Sequence, residues 1–378
     1  MFTFSWADTW SDAVVRELCM SSDRLVDALL HHPDVARVLV ADPFRSWPVR
    51  QARRLLGHRQ AELPALPGRA RMAPLRLRRR PPARVAAAVR LYRAYDRRLA
   101  RAATAASLER PAVITVNPFV AAFSPLAWAG PVTYYALDDW AAHPRHRRLW
   151  PVLEHAHAAI RERGVGVCCV SRPLLERLAP TGPHLVVPNG VAPAEWRPPW
   201  SPPPWYGELP RPRMLYVGTI DDRLDVDSLV ATATRHPGGT LVLVGLVTDP
   251  AAVARLGALP NVRIRAPVGR RAVAGMVHTA EVCLLPHRRT RLTDSMSPLK
   301  LFEYLAGGAP VVATDLPPLR DLAPGLRLAA PGAAFAEAVS EAIGAGPVSE
   351  AERRAAVAAH SWSGRHRDLL AFALGTQA

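Results

Sequence analysis

The sequence predicts an α/β protein built from two doubly wound, Rossmann-like domains. Three observations carry that expectation. The chain has 378 residues, more than one ordinary core needs and enough for two domains of about 150–200 residues each. Continuous apolar runs alternate with helix-period segments, the pattern of parallel strands covered by helices on both faces. A proline-dense stretch, RPPWSPPPWYGELPRPR at 197–213, interrupts the alternation.

In the first half, strands are expected at 2–5, 37–41, 112–116, 132–137, 166–170 and 184–188, with helices over 12–31, 83–104 and 147–163. So many prolines at 197–213 exclude a helix or a central strand, and the stretch reads as an extended linker. That sets a first domain at 1–196 and a second starting at 214. In the second half, strands are expected at 214–218, 240–245, 262–266, 282–286, 310–314 and 326–330. Helices fill the gaps at about 226–236, 250–257, 270–280, 299–307 and 333–344, and two more, about 349–359 and 364–374, close the chain. No short-period repeat is present, which excludes a solenoid. Ligands of such sheets bind beyond the carboxyl ends of the strands, here expected in a cleft between the domains.

No run of about 18 uncharged apolar residues is present, so no membrane span is expected. The opening MFTFSWADTWSD lacks a basic segment followed by an apolar one, so no secretory leader is expected. Cys19, Cys168, Cys169 and Cys283 form no CxxC pair. This is cytosolic usage, without a disulfide frame or zinc site. The formal charge of +16 is uneven: residues 44–110 hold 18 arginines against Glu62, Asp96 and Glu109, a net +15. An anionic partner is implied. Arginines cluster at 76–84 and recur at 90, 93, 97, 98 and 101, spacings that put several on one helical face. No RNA-module motif or aromatic stacking set accompanies them, so nucleic acid is not expected. An anionic membrane surface or an anionic acceptor fits, as does a plain solvated basic face.

In this arginine-rich chain there is a single lysine, Lys300. It marks a place where a compact ammonium suits and a planar guanidinium does not. It lies in DSMSPLKLFEYLAGGAPVVAT, 294–314, where a polar loop runs into Pro298, a short helix, Gly307-Gly308 and a strand. Proline suits a first helical turn, and the free N–H groups of that turn with the helix dipole make an anion site. Lys300 can add charge to a diphosphate, and Glu303, one turn on, can accept ribose hydroxyls. The same residues also fit a plain amphipathic helix with Leu299, Phe302 and Leu305 inward and Lys300 solvated.

PLKLFEYLAGGAPVVAT resembles the donor-binding signature of retaining GT-B glycosyltransferases of family four: Glu, seven residues, Glu, a small-residue turn and a strand. The resemblance implies that Glu303 holds the nucleotide ribose. It also implies that backbone amides near Met296 and Ser297 approach the donor sugar, and those of Leu299 and Lys300 the diphosphate. Ser295 stands where the family's first Glu contacts sugar hydroxyls, with Asp294 one place off. A branch of the family active in cell-envelope polysaccharide synthesis has a similar PxKLFEYLA form without that Glu.

Other segments share the resemblance. YVGTIDDR, 216–223, is similar to the first strand and loop of the family's donor domain, with Gly218 and Thr219 at the ligand and Arg223 as the phosphate-binding cation. A surface ion pair with a nearby Asp is the other reading of Arg223. LPNV at 259–262 and VGR at 268–270 resemble the strand and loop that receive the base, with backbone groups around Val268 reading its edge. This leaves uridine against guanosine open. EVCLLP, 281–286, corresponds to the next strand, after which His287 and Arg288 enter the cleft loop. YYALDDW, 134–140, places Leu137 where many members carry a His, followed by Asp138 and Asp139. These two are candidates for stabilisation or acceptor binding, with helix N-capping as the alternative, and His143 reads as solvated. VSR at 170–172 and VPNGV at 187–191 resemble the last strands of the first domain, with Asn189-Gly190 in a tight turn. SWSGR, 361–365, resembles a C-terminal helix crossing back to the first domain, which divides the rest into 214–358 and 359–378. SWADTW, 5–10, replaces the family's glycine-rich loop. The resemblance covers 110–378 well and 1–60 loosely, and about 60–105 is unmatched.

What the resemblance implies is a retaining, hexosyltransferase-like enzyme of polysaccharide or glycoconjugate synthesis. It would move a sugar from a UDP- or GDP-sugar to a glycan, lipid-linked or small-molecule acceptor. The nucleotide sugar is a substrate, no cofactor is implied, and no metal is expected because no cluster of His and carboxylate ligands appears. Lys300 and Arg223 would stabilise the departing diphosphate. The expected location is cytoplasmic, on the membrane face. Ser295 and Leu137 motivate a non-catalytic binding protein on the same fold as the competing reading. No GxGxxG follows a strand, which argues against a nicotinamide enzyme.

Overall fold

The computed structural model describes residues 1–56, 60–77, 80–320, 322 and 326–376. The chain divides into two compact units, Met1–Pro188 with Arg365–Ala378, and Asn189–Gly364.

The first unit is built on a parallel sheet of seven strands. These are β1 (Phe2–Thr3), β2 (Val38–Ala41), β4 (Arg69–Met72), β6 (Val113–Thr115), β7 (Val132–Ala136), β8 (Gly166–Cys169) and β9 (His184–Val186), in the order β4-β2-β1-β6-β7-β8-β9. A separate two-stranded ladder pairs β3 (Arg45–Ser46) with β5 (Leu75–Arg76). The expected strands are present, but β4 was not expected. It is an edge strand carrying two arginines, so it lacks an apolar run. Arg71 pairs with the buried Asp42 at 2.6 Å, and Arg69 donates to the carbonyls of Leu30 and Val35.

The helical period over 12–31 resolves into two helices, α1 (Trp10–Val15) and α2 (Ser21–His31). Between them Glu17 and Leu18 take positive φ values of 55° and 53°. Thr9 and Asp12 form a capping box at the start of α1, and Asp23 accepts from the Met20 amide at the start of α2. Next come α3 (Trp47–Leu55), the 21-residue α4 (Val85–Ala105) and α5 (Pro118–Phe123). The unit's remaining helices before Pro188 are α6 (Trp150–Arg163) and α7 (Arg172–Leu178). The chain's last segment contributes Leu369, Leu370 and Ala373 to this unit's core, and the Phe372 ring sits against Gly166, where a Cβ would lie 3.2 Å away.

The second unit carries six parallel strands: β10 (Arg213–Val217), β11 (Thr240–Val244), β12 (Val262–Arg265), β13 (Val282–Leu285), β14 (Val311–Thr314) and β15 (Leu326–Ala329). Their order is β12-β11-β10-β13-β14-β15. Alternation along β10 feeds two cores, Leu215 on one face and Met214 and Tyr216 on the other. Packed on the Leu215 face are α11 (Arg270–Thr279) and α12 (Leu299–Gly307), while the opposite face takes α9 (Val226–Arg235), α10 (Pro250–Gly257) and α13 (Ala333–Ala345).

The proline-rich stretch is not an extended linker. It belongs to the second unit, which begins at Asn189 rather than at 214 and runs to Gly364 rather than 358. Its prolines block ladder hydrogen bonds, but its aromatic side chains are free to bury. Tyr206, on the one-turn α8 (Pro204–Gly207), is fully buried. The Trp200 ring stacks on His278 at 3.6 Å, and the backbone at Ser201 and Pro202 lies so close to Gly275 that a Cβ there would collide with it.

Candidate functional site

In the second unit the strand order reverses between β10 and β13, the place where doubly wound sheets open a crevice at their carboxyl ends. The loops leaving those two strands are tied together. The Asp225 amide donates to the Pro286 carbonyl at 2.8 Å, and the Arg288 amide to the Arg223 carbonyl at 2.8 Å. A third tie fixes the loop after β10 to the loop after β11, where Thr248 and Asp249 both donate to the Ile220 carbonyl.

Lys300 enters this crevice from α12. Its ammonium donates to the Tyr216 hydroxyl at 2.9 Å and lies 4.2 Å from the Tyr216 ring centroid. The Tyr216 hydroxyl in turn donates to the Thr219 carbonyl at 2.8 Å. Gly218, with φ of 149°, leaves the space the ammonium occupies: a Cβ there would stand 2.4 Å from Nζ. Burial pulls the Lys300 ammonium down to about 7; the nearby Arg223 guanidinium adds to this, and Asp221 and Glu303 oppose it. Lys300 is therefore a partly buried cation tied to Tyr216, with Asp221 and Glu303 as its nearby counter-charges, not the solvated lysine of a plain amphipathic helix. Its own helix presents its N-terminus here, with Pro298 as the N-cap, without a side-chain cap, and Gly308 in the left-handed conformation at the C-cap.

Arg223 makes a two-toothed ion pair with the buried Asp221, at 3.0 Å (Nε–Oδ1) and 2.8 Å (Nη2–Oδ2). The expected pairing of Arg223 with an Asp is present, and its charge also reaches Lys300. His287, which feels both cations, is buried, and its Nδ1 makes no hydrogen bond among the described residues. Burial first, then Lys300 and Arg223, hold its pKa well below the usual histidine range, so the ring is neutral.

Glu303 is partly buried one turn after Lys300. Its carboxylate accepts from Arg270 at 3.2 Å, and Arg270 also pairs with Glu195. Arg270 opens α11, directly after Val268 and Gly269, so the loop at 268–269 and the Glu303 carboxylate are linked by one guanidinium. Val268 packs against the core on the α12 face.

The loop ahead of α12 is held by its own hydrogen bonds. The Ser295 hydroxyl donates back to the Arg291 and Leu292 carbonyls at 3.1 and 3.0 Å. Asp294 accepts from Arg289 at 3.2 Å. Asn189 is committed to the same loop, its amide N–H donating to the Ser297 hydroxyl at 3.2 Å and its side chain to the Ser297 carbonyl. Its side chain thus shapes the loop from Met296 to Leu299. Met296 and Ser297 are buried, while Leu299 is partly exposed at the helix start.

Asp138 and Asp139 belong to the first unit. Asp139 is fully buried; its carboxylate accepts from the Ala141 amide at 3.2 Å and faces Arg177 at 3.6 Å. That geometry anchors a loop, so Asp139 is corrected from a catalytic candidate to a structural residue. Asp138 is partly exposed beside it. His143 is not merely solvated: it caps the turn at 144–149 through the Arg145 amide and stacks against Trp140. Trp6, in the segment that replaces a glycine-rich loop, packs on Trp140 and His146, each with ring centroids 5.2 Å away.

Sequence reasoning missed Tyr216, Arg270 and Glu195 as parts of the site. Tyr216 reads as an ordinary inward strand residue, and only the sheet pleat shows that its hydroxyl ends under Lys300. Glu195 sits 75 residues before Arg270, and no local pattern joins them. Among the described residues, no three His, Cys, Asp or Glu side chains converge as metal ligands.

Residues 211–344 match the family described as glycosyl transferases group 1. This segment is a group 1 glycosyltransferase domain. It contains Lys300, Arg223, Glu303, Gly218 and Arg270. The chain is also similar to the putative teichuronic acid biosynthesis glycosyltransferase TuaH of Bacillus subtilis (strain 168), with 31% identity over 104 residues. That match spans 27% of this chain and about a quarter (26%) of the relative. Among solved structures, sucrose-phosphate synthase from Thermosynechococcus elongatus has 17% identity and a TM-score of 0.65, covering 97% of this chain and 96% of that one. Anabaena HepE in complex with UDP has 14% identity and a TM-score of 0.59, covering 100% and 99%. At these identities the likeness establishes the fold alone: the glycosyltransferase domain and the first unit together have the GT-B fold.

Proposed function

We propose that the protein is an enzyme that transfers a sugar, with retention of configuration, from a UDP- or GDP-sugar to a glycan, lipid-linked or small-molecule acceptor. One observation carries this reading. A partly buried ammonium, Lys300, sits beside a helix N-terminus at the strand-order reversal, with a carboxylate, Glu303, one turn along the same helix. That spacing suits a diphosphate followed by a ribose. The group 1 glycosyltransferase match covers these residues, and HepE, whose fold this chain shares, binds UDP.

In the proposed reaction the bond between the sugar's anomeric carbon and the diphosphate oxygen breaks, an acceptor hydroxyl oxygen bonds to that carbon on the same face, and the hydroxyl's proton passes to the departing diphosphate. Negative charge grows on the diphosphate, and Lys300, Arg223 and the first amides of α12 stabilise it. These groups are fixed before reaction, which lowers the barrier without a metal ion. Asp138 remains a candidate for the acceptor side. TuaH is described as acting in teichuronic acid biosynthesis, and an anionic glycan pathway accords with the basic first unit. A cytoplasmic location at the membrane face accords with it too.

The test is thermal stabilisation by UDP, GDP and TDP and their sugars, followed by a nucleotide-release assay. Ligand at a hundredfold excess over Kd adds about 2.7 kcal/mol of stability. A selective shift with one nucleotide, with release of that nucleotide from its sugar, supports the reading. The competing reading, a non-catalytic nucleotide binder, is favoured by the Ser295 hydroxyl turned onto its own loop. It predicts the shift without release. No shift with any nucleotide removes both.

A further inference from the structure

The first unit carries a pocket of about 600 Å³ that the donor chemistry does not use. It lies between the start of α4, the segment after β5 and the turn at 144–149. Its walls are apolar, formed by Leu77, Pro81, Pro82, Ala87 and Leu91. Four arginines, Arg76, Arg80, Arg84 and Arg148, also line it, and no acidic residue is among the lining residues. The N-terminus of α4 reaches the pocket at Ala87. That helix has no side-chain cap and no acid in its first turn, so its dipole adds to the positive field.

The surroundings are also unusual. Leu77 is 80% exposed and Trp47 48% exposed. They directly follow β5 and β3, which pair side by side through Arg76 and Ser46. At the end of α3, Leu55 and Leu56 are 89% and 77% exposed. Large apolar side chains left in water within an arginine-rich stretch are the composition of a surface that enters the headgroup layer of a bilayer. A diffuse basic face needs no apolar cavity, and a small soluble anion needs no exposed leucines. The combination fits a ligand with an anionic end and a hydrocarbon body.

We propose that this pocket takes the phosphorylated end of a membrane lipid. The phosphate lies against Arg80, Arg84, Arg148 and the start of α4, and the first carbons of the chain lie against Leu77, Pro82 and Leu91. The expected location of the arginines as a mere helical stripe is thereby refined. On α4, Arg90, Arg93, Arg97 and Arg101 are exposed farther along the helix and do not line the cavity. Arg78 and Arg79 of the same run lie outside the described residues.

The test is co-sedimentation of the full chain with phosphatidylcholine vesicles, with and without long-chain phosphatidic acid. Wild type is expected to bind only the vesicles that contain phosphatidic acid, whose phosphomonoester is anionic and uncapped by choline, and millimolar inorganic phosphate is expected not to displace it. Replacing Arg80, Arg84 and Arg148 together by Ala should weaken binding about a hundredfold. Ala87→Trp, which fills the cavity and keeps every charge, should also lose binding, with circular dichroism confirming its fold. The triple change of Arg93, Arg97 and Arg101 to Ala should cost less than about threefold. Equal losses in the two triple variants would show a diffuse basic face and overturn the proposal. Full binding by a folded Ala87→Trp protein, or displacement by inorganic phosphate, would overturn it as well.

Discussion

The Lys300 ammonium and the Tyr216 hydroxyl are 2.9 Å apart, and the same ammonium rests over the Tyr216 ring. The tyrosine is buried in the sheet core, so it holds the lysine without neutralising it. The cation remains available to an incoming anion. Lys300→Ala is expected to lose at least about tenfold in turnover, the scale of a single lost transition-state donor, with an unchanged circular dichroism spectrum. Tyr216→Phe keeps the ring and loses two hydrogen bonds, from Lys300 and to the Thr219 carbonyl, each worth about 1 kcal/mol of stability, so it should retain more activity than Lys300→Ala. Near-normal turnover in Lys300→Ala would remove the phosphate role.

The depressed pKa of Lys300 has two consequences. In the folded protein it titrates at about 7, against 10.5 for an unperturbed lysine. Between those values the unfolded chain holds a proton that the folded one has released. The contribution of this group to stability therefore rises with pH from about 7 to 10.5, and below about 7 the charged, partly buried form carries its full penalty. A bound diphosphate restores the charge. Nucleotide binding at pH 8 should take up about one proton, read by calorimetry in buffers of different ionisation enthalpy. Lys300→Met should abolish the uptake, and a wild type without uptake would place the diphosphate elsewhere.

Glu303 is shared between a proposed ribose and Arg270, which also holds Glu195. Glu303→Gln keeps the shape and loses the charge-assisted bonds, so nucleotide affinity should fall by about 1.5–3 kcal/mol. Arg270→Ala releases both carboxylates. It should alter affinity for the nucleoside monophosphate and the diphosphate by the same factor, because it acts at the ribose and base end. Lys300→Ala should affect the diphosphate far more. Equal patterns in the two variants would refute this division.

Gly218 leaves room for the lysine. Gly218→Ala places a Cβ 2.4 Å from Nζ and 3.1 Å from the Tyr216 hydroxyl oxygen. The ammonium is expected to be displaced, and the φ of 149° strains any side chain at this position, so the melting temperature should fall as well. The measurable result is loss of the proton uptake described above in protein whose circular dichroism shows it folded.

The proline-rich stretch tests the domain assignment. Tyr206 is fully buried and its ring faces the Arg213 guanidinium at 4.8 Å. Tyr206→Ala should destabilise the second unit by about 3–5 kcal/mol, the cost of an aromatic removed from a core, measured by urea unfolding. A free linker would show almost no change.

Much of the architecture was legible from local pattern. Each expected strand of the second half is present within about two residues, because buried parallel strands read as continuous apolar runs bounded by turn residues. Lys300 and Glu303 were legible because both lie on one short helix, where spacing alone determines which side chains share a face. The edge strand at Arg69–Met72 was not, because half its side chains are arginines whose partners, Asp42 and the carbonyls of Leu30 and Val35, are distant in sequence. The break between α1 and α2 was hidden by a helical period that continues across it.

By itself the sequence determined two doubly wound sheets, the basic first half and the helix that bears Lys300, since these follow from period, composition and spacing. The tertiary structure decided what surrounds that helix. It brought Tyr216 of β10 and Gly218 just beyond that strand under the ammonium, placed Arg270 between Glu303 and Glu195, and packed the proline-rich stretch into the second unit. These are meetings of residues 33 to 84 positions apart. No local propensity encodes them; sheet order and side-chain volume do.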